Sequence, residues 1–210
     1  MKEENTSAEE LKTIRKLMEE STRFLSLSGF SGVLMGLFAI AGAAVAWFMI
    51  LDGGKAENMG SLEFLSGISR SSTILLISTA AIVLILSLAS GFYFSWKNAK
   101  RSGVNFWTPA SRRMLTGLLI PLASGGFFAL ILLFHNQLWL IIPVFLIFYG
   151  LALINAGKFT YGEITWLGIF EIVTGLAAAI FPGQGLLFWI LGFGILHIVY
   201  GVMMYRKYKV

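Results

Sequence analysis

Gly168-Ile-Phe-Glu171-Ile-Val-Thr-Gly175 and Gly194-Ile-Leu-His197-Ile-Val-Tyr-Gly201 are near copies of one pattern. Each lies inside an apolar run of about twenty residues, the length at which a helix crosses the ~30 Å hydrocarbon layer of a bilayer. Between the two runs stands Pro182-Gly-Gln-Gly185, a turn signal. A fold-back there brings Gly168 level with Gly201, Gly175 with Gly194 and Glu171 with His197. Both ionisable groups then sit about eight residues from the inner ends of their helices, roughly 12 Å deep at ~1.5 Å per residue. An isolated charge at that depth is costly, so Glu171 is expected to be protonated or paired, with His197 as its natural partner. Two readings stand side by side: a proton-responsive pair or relay, and a hydrogen bond that fixes helix register.

Working outward, the same kind of apolar run recurs along the chain. Spans are expected at about 27–51, 71–96, 114–134, 138–154, 164–181 and 186–205. Composition agrees, with 57% hydrophobic against 13% charged residues and a mean hydropathy of +0.78. The expected fold is all-α: a polytopic membrane protein of six transmembrane helices in three antiparallel hairpins. The 26 residues before the first run and the five spans after it argue against a cleaved secretory signal.

Lys and Arg are distributed unevenly over this scheme. Lys2, Lys12, Arg15, Lys16, Arg23, Lys97, Lys100, Arg101, Arg112, Arg113, Lys158, Arg206, Lys207 and Lys209 fall on one side, and only Lys55 and Arg70 on the other. The asymmetry predicts that both termini are cytoplasmic, and the expected location is a bacterial inner membrane. Trp47, Trp139, Trp189, Trp96 and Trp166 lie near span ends, where interfacial anchors belong. The net charge of +5 is thus a matter of topology. The basic stretch 97–113 suits anionic lipid headgroups, and nothing marks a nucleic-acid surface. Cysteine is absent, which excludes disulfides, thiolate metal sites and thiol nucleophiles.

Residues 1–26 form a unit of their own, a short amphipathic cytoplasmic helix. Ser7-Ala-Glu-Glu10 fits a capping box, and Leu11, Ile14, Leu17, Met18 and Leu25 recur at helical spacing. Such a helix either lies at the membrane interface or docks a protein partner or second copy through its Leu11/Ile14/Met18 stripe. Residues 27–210 form the transmembrane domain. The loop 52–70 reads as solvated, with one short helical turn near 62–65.

The hairpins at 114–154 and 164–205 align without gaps at an offset of 51 residues. Gly117 maps to Gly168, Ser124 to Gly175, Pro143 to Gly194, Tyr149-Gly150 to Tyr200-Gly201 and Lys158 to Lys209. The first hairpin keeps the spacing as Gly29, Gly32 and Gly36 and, more faintly, Ser87 and Gly91, implying a parallel repeat. Small residues three and four apart let helix backbones approach in lipid, so Gly168, Gly175, Gly194, Gly201, Gly32 and Gly36 are expected to pack helices and to support homo-oligomers. The slot between the small residues reads Gly32, Ser87, Ile120, Leu146, Glu171 and His197 in successive spans. Pro121 and Pro143 are expected to kink the third and fourth spans.

Catalytic readings find little support. Gly29-Phe-Ser31-Gly32 resembles the nucleophile motif of rhomboid proteases, but the other motifs of that family are missing and Ser31 sits near the wrong end of its span. Two His, no Cys and one buried carboxylate cannot build an ordinary closed zinc or haem site. No enzyme activity, metal or cofactor is expected.

Ile14-Arg-Lys-Leu-Met-Glu19, leading into Phe24-Leu-Ser-Leu-Ser-Gly-Phe-Ser-Gly32, and Phe188-Trp-Ile-Leu-Gly-Phe-Gly-Ile-Leu-His-Ile-Val-Tyr-Gly-Val-Met-Met-Tyr205 resemble an uncharacterised family of bacterial multi-pass membrane proteins seen mainly in Bacteroidota. The resemblance spans essentially the whole chain and implies an inner-membrane location without an activity or site residues. The repeated hairpins are also similar in architecture to HdeD-type acid-resistance membrane proteins. The expected function is a non-catalytic accessory or stress-related membrane component; the alternative is a small proton-linked transporter or channel using Glu171 and His197. A polar, water-accessible cavity beside the pair would favour transport, and a dry bundle the accessory role.

Overall fold

The computed structural model describes residues 23–50 and 69–208. The turn at 62–65 and the expected N-terminal amphipathic helix up to residue 22 lie outside these residues, and its expected last turn, 23–26 with Leu25, is not helical. Among the described residues the regular structure is all helical. Six helical spans are long and apolar enough to cross a membrane: Gly29–Phe48, Ser71–Arg101, Pro109–Phe134, Leu138–Gly157, Glu163–Ile180 and Gly185–Tyr208.

Local chemistry sets the helix ends. Helix α1 (Gly29–Val45) runs into a π-helical turn, Ala46–Ile50. Helix α2 (Arg70–Arg101) starts where Ser69 Oγ accepts from Ser72 N at 3.1 Å. It continues five residues past its expected apolar end, because Lys97, Lys100 and Arg101 suit the negative end of a helix dipole. Gly103, at φ +68, then supplies the left-handed residue that stops it. Helix α3 (Pro109–Phe134) begins five residues earlier than its apolar run. Thr108 and Ser111 form a reciprocal capping box, and Pro109 occupies the first turn.

Asn136, at φ 57, turns the chain into a 3-10 turn, Leu138–Leu140, and helix α4 (Ile141–Gly157). Pro121 is internal to α3. Pro143, however, falls in the first turn of α4, where a missing N–H removes no helical bond, so the kink expected there has no cause. Helix α5 (Glu163–Ile180) is followed by a turn containing Gly183 at φ 98. The sixth span has three parts: α6 (Gly185–Trp189), a π-helical segment (Ile190–Leu196) and α7 (His197–Tyr208).

The spans pack in the order α3, α4, α5, sixth span, α1, α2, each against the next. Two of these contacts are backbone to backbone. A Cβ at Gly150 would lie 2.5 Å from Gly168 O, and one at Gly168 would lie 2.6 Å from Gly150 O. The α7–α1 contact repeats this: a Cβ at Gly201 would lie 2.5 Å from Gly29 O, and one at Gly29 would lie 2.6 Å from Gly201 O. Only glycine permits such approach, which gains dispersion contact where lipid offers no hydrophobic drive. The outward faces carry exposed Phe127, Phe134 and Ile180, as surfaces solvated by acyl chains do.

At the end bearing most of the described Lys and Arg, residues 23–28 are extended and stitched to the α4–α5 connection. Phe24 N donates to Phe159 O at 2.7 Å, Thr160 Oγ1 to Phe24 O at 2.6 Å and the Tyr161 hydroxyl to Leu25 O at 2.6 Å. Burial, reinforced by Tyr208 and Glu163 nearby, pushes the Tyr161 phenol above its ordinary range and keeps it a donor. Thr160 is fully buried, so Thr160→Val is expected to orphan the Phe24 carbonyl and destabilise the protein by about 1 kcal/mol. Thermal unfolding in detergent by circular dichroism checks this, and an unshifted midpoint would refute the stitch.

Candidate functional site

A buried polar cluster lies where the α4–α5 pair meets the sixth span. Leu146 and Tyr149 face it from α4, Glu171 from α5, and Gly192 and His197 from the sixth span. Glu171 has no exposed surface and His197 is 4% exposed. His197 Nδ1 stands 3.3 Å from Glu171 Oε1.

The sixth span reaches this geometry through its π-helical segment, which widens the turn immediately before His197. His197 Nδ1 lies 3.2 Å from Gly192 O. A carbonyl only accepts, so Nδ1 carries the hydrogen. In the neutral ring Nε2 is then the acceptor, and the Tyr149 hydroxyl donates to it at 2.8 Å. The two rings also stack, with centroids 5.4 Å apart and planes at 24°. Because the Nδ1 hydrogen is directed at Gly192 O, neither Glu171 oxygen has a hydrogen-bond partner among the described residues.

Gly192 makes the cluster sterically possible. A Cβ there would collide with Leu146 Cδ2 and lie 2.7 Å from Glu171 Oε2. The slot residues Leu146, Glu171 and His197, with Gly32 of α1 against the His197 carbonyl, therefore converge on one region. Ile120 does not join them; it is 64% exposed on the outer face of α3.

The glycines named from sequence sit in other interfaces than the one joining α5 to the sixth span. Gly168 packs on Gly150, and Gly175 on Leu146 and Ile147, both across α4–α5. Gly194 meets Ile40, Gly36 meets Gly194 and Ile198, Gly32 meets Gly201, and Gly201 meets Gly29 and Val33, all across the sixth span and α1. Tyr149 and Gly192 were missed as members of the site. The repeat held one hint, since Tyr149 and Tyr200 are equivalent and a tyrosine hydroxyl inside a span needs a partner.

What can this cluster do? With Nδ1 protonated the ring cannot take a proton from Glu171; a transfer to His197 needs the other tautomer, with Nδ1 bare toward Glu171 and Nε2–H donating to the Tyr149 oxygen, so Tyr149 switches from donor to acceptor. Ser31 takes no part: its hydroxyl donates to Ser28 O at 2.6 Å, and both His197 ring nitrogens face other groups. No group of three or more metal-ligating side chains occurs among the described residues. An open apolar groove of about 570 Å³ runs along the sixth span, lined by Ile198, Val199, Val202, Met203, Arg206 and Lys207. Its lining includes no residue of the cluster.

Comparison of the chain with protein-family models, with curated proteins and with solved structures finds no match.

Proposed function

We propose that this chain is a non-catalytic accessory or stress-related component of a bacterial inner membrane, whose His197–Tyr149 contact, beside the buried Glu171, locks two glycine-packed helix pairs together. The observation that carries the reading is burial: Glu171 has no exposed surface, with His197 Nδ1 3.3 Å from its carboxyl group and Gly192 packed against it. A transport site needs water on at least one side of its proton-binding group. Three antiparallel hairpins, an N-terminal interfacial helix and cytoplasmic termini complete the proposed architecture. The Lys and Arg asymmetry supports that orientation, and the apolar outer faces support contact with the bilayer. Kinship with the Bacteroidota-type family, and more loosely with HdeD-type proteins, is part of the same proposal and rests on the stretches quoted above.

The test is proton flux. Purified protein in liposomes enclosing a pH-sensitive dye is expected to dissipate an imposed pH gradient no faster than empty liposomes. Flux above that background, lost in Glu171→Gln, would replace the accessory reading with the proton-linked transporter.

A further inference from the structure

The internal repeat exposes one junction that does not close. The sixth span–α1 contact reproduces the α4–α5 contact position by position: Gly201 against Gly29 and Val33 matches Gly150 against Gly168 and Ile172, and Gly36 against Ile198 matches Gly175 against Ile147. The repeat assigns the same role at a third junction to Gly91 of α2, which follows the slot residue Ser87 by four as Gly150 follows Leu146, and to Gly117 of α3. Yet α2 packs on α1 and α3 on α4, and the two do not pack along each other. The connection 102–108 helps to explain this. A Cβ at Gly91 would meet Met35 Cε of α1, so this small residue faces α1 and not α3, while the connection folds onto α2, with Val104 N bonding Ala99 O at 3.0 Å and the Phe106 ring seated against Phe24 at 5.4 Å and Phe92 at 5.1 Å. A gap between two long apolar helices follows. Leu88 and Phe92 of α2 and Ile120 of α3 are each more than half exposed.

The charge at the mouth of this gap identifies an occupant. Lys97, Lys100 and Arg101 end α2, and Arg112 and Arg113 lie at the start of α3; all five are exposed, and 97–113 contains no acidic residue. Trp96 and Trp107, exposed beside the cations, mark the headgroup level, and Lys100 lies 5.5 Å over the Trp96 ring. We infer that the α2–α3 gap binds an anionic phospholipid, its phosphate held by the Lys97–Arg113 cluster and its acyl chains lying along α2 and α3. Five cations beside one apolar gap match a negative headgroup joined to hydrocarbon; a zwitterionic lipid or a water-soluble anion meets only half of that.

The experiment uses the full chain in a mild non-ionic detergent. Native mass spectrometry counts retained phospholipid, and thermal unfolding is followed with added phosphatidylglycerol, phosphatidylcholine or inorganic phosphate. Retention and stabilisation by phosphatidylglycerol alone are expected, with binding roughly 30-fold weaker in Arg112→Gln/Arg113→Gln and unchanged in Arg206→Gln at the same end. Because the chain has no cysteine, a fluorophore on Leu88→Cys gives a second reading in the otherwise unaltered protein: brominated phosphatidylglycerol should quench it more than brominated phosphatidylcholine. Equal quenching by the two lipids, equal weakening by Arg206→Gln, stabilisation by phosphate alone, or a lipid-free dimer would each overturn the assignment.

Discussion

An alanine at Gly150 is expected to destabilise the protein by about 3 kcal/mol, the upper end of the overpacking range, and a leucine there to prevent α4 from docking on α5. The added methyl would sit 2.5 Å from Gly168 O and 3.0 Å from Ile172 N, and backbone atoms cannot step aside as a flexible side chain can. Gly201→Ala is expected to match it, because Gly29 O at 2.5 Å and Val33 N at 2.6 Å surround that position in the same way. Gly126→Ala in α3 is the control. Nothing lies within 4 Å of its added methyl, and alanine is the better helix former by about 1 kcal/mol. Helicity against temperature in detergent measures all three. Coincident transitions for Gly150→Ala and Gly126→Ala would refute the backbone contact, and a large loss at Gly150 with none at Gly201 would refute the equivalence of the two junctions.

These glycines mark the limit of what the sequence discloses. Hydropathy and length suffice for six helices, since a run such as 164–181 can satisfy its backbone in lipid only by coiling. Spacing also announces that Gly168 and Gly201 meet something small. Which helix each one meets is a different matter. A stripe at Gly168 and Gly175 fits an α4-type or a sixth-span surface equally well, and the turn at 182–185 suggests the wrong choice: the polar cluster joins α5 to the sixth span while the glycines serve α4 and α1. The ionisable members of the cluster were visible because Glu171 and His197 stand alone in apolar sequence. Tyr149 was hidden because a tyrosine five residues from the inner end of its expected span reads as an ordinary interfacial anchor. Gly192 was hidden because its role depends on the π-helical segment, and a one-residue widening leaves no trace in periodicity.

Glu171→Leu is expected to leave the bundle as stable as the parent or to stabilise it, whereas His197→Leu is expected to lower stability by about 2 kcal/mol. The asymmetry follows from partners. Glu171 accepts and donates no hydrogen bond among the described residues, so it brings desolvation without compensation, and leucine of similar bulk fits beside Leu146 and Gly192. His197 serves two groups, the Tyr149 hydroxyl at 2.8 Å and Gly192 O at 3.2 Å, and its loss leaves the Tyr149 hydroxyl without a partner. Tyr149→Phe in the His197→Leu background should recover part of the loss, by about 0.5–1.5 kcal/mol, because it removes the orphaned hydroxyl. If Glu171→Leu instead proves the more damaging change, by about 3 kcal/mol, then Glu171 and His197 form a charged pair in the folded bundle and the Nδ1 hydrogen belongs to the carboxylate. A stabilising Glu171→Leu carries a consequence for function as well. A chain that retains a costly carboxyl group where leucine would pack better has it for a role other than folding, so the lock formed by His197 and Tyr149 and the role of the Glu171 carboxyl group are separable by mutation.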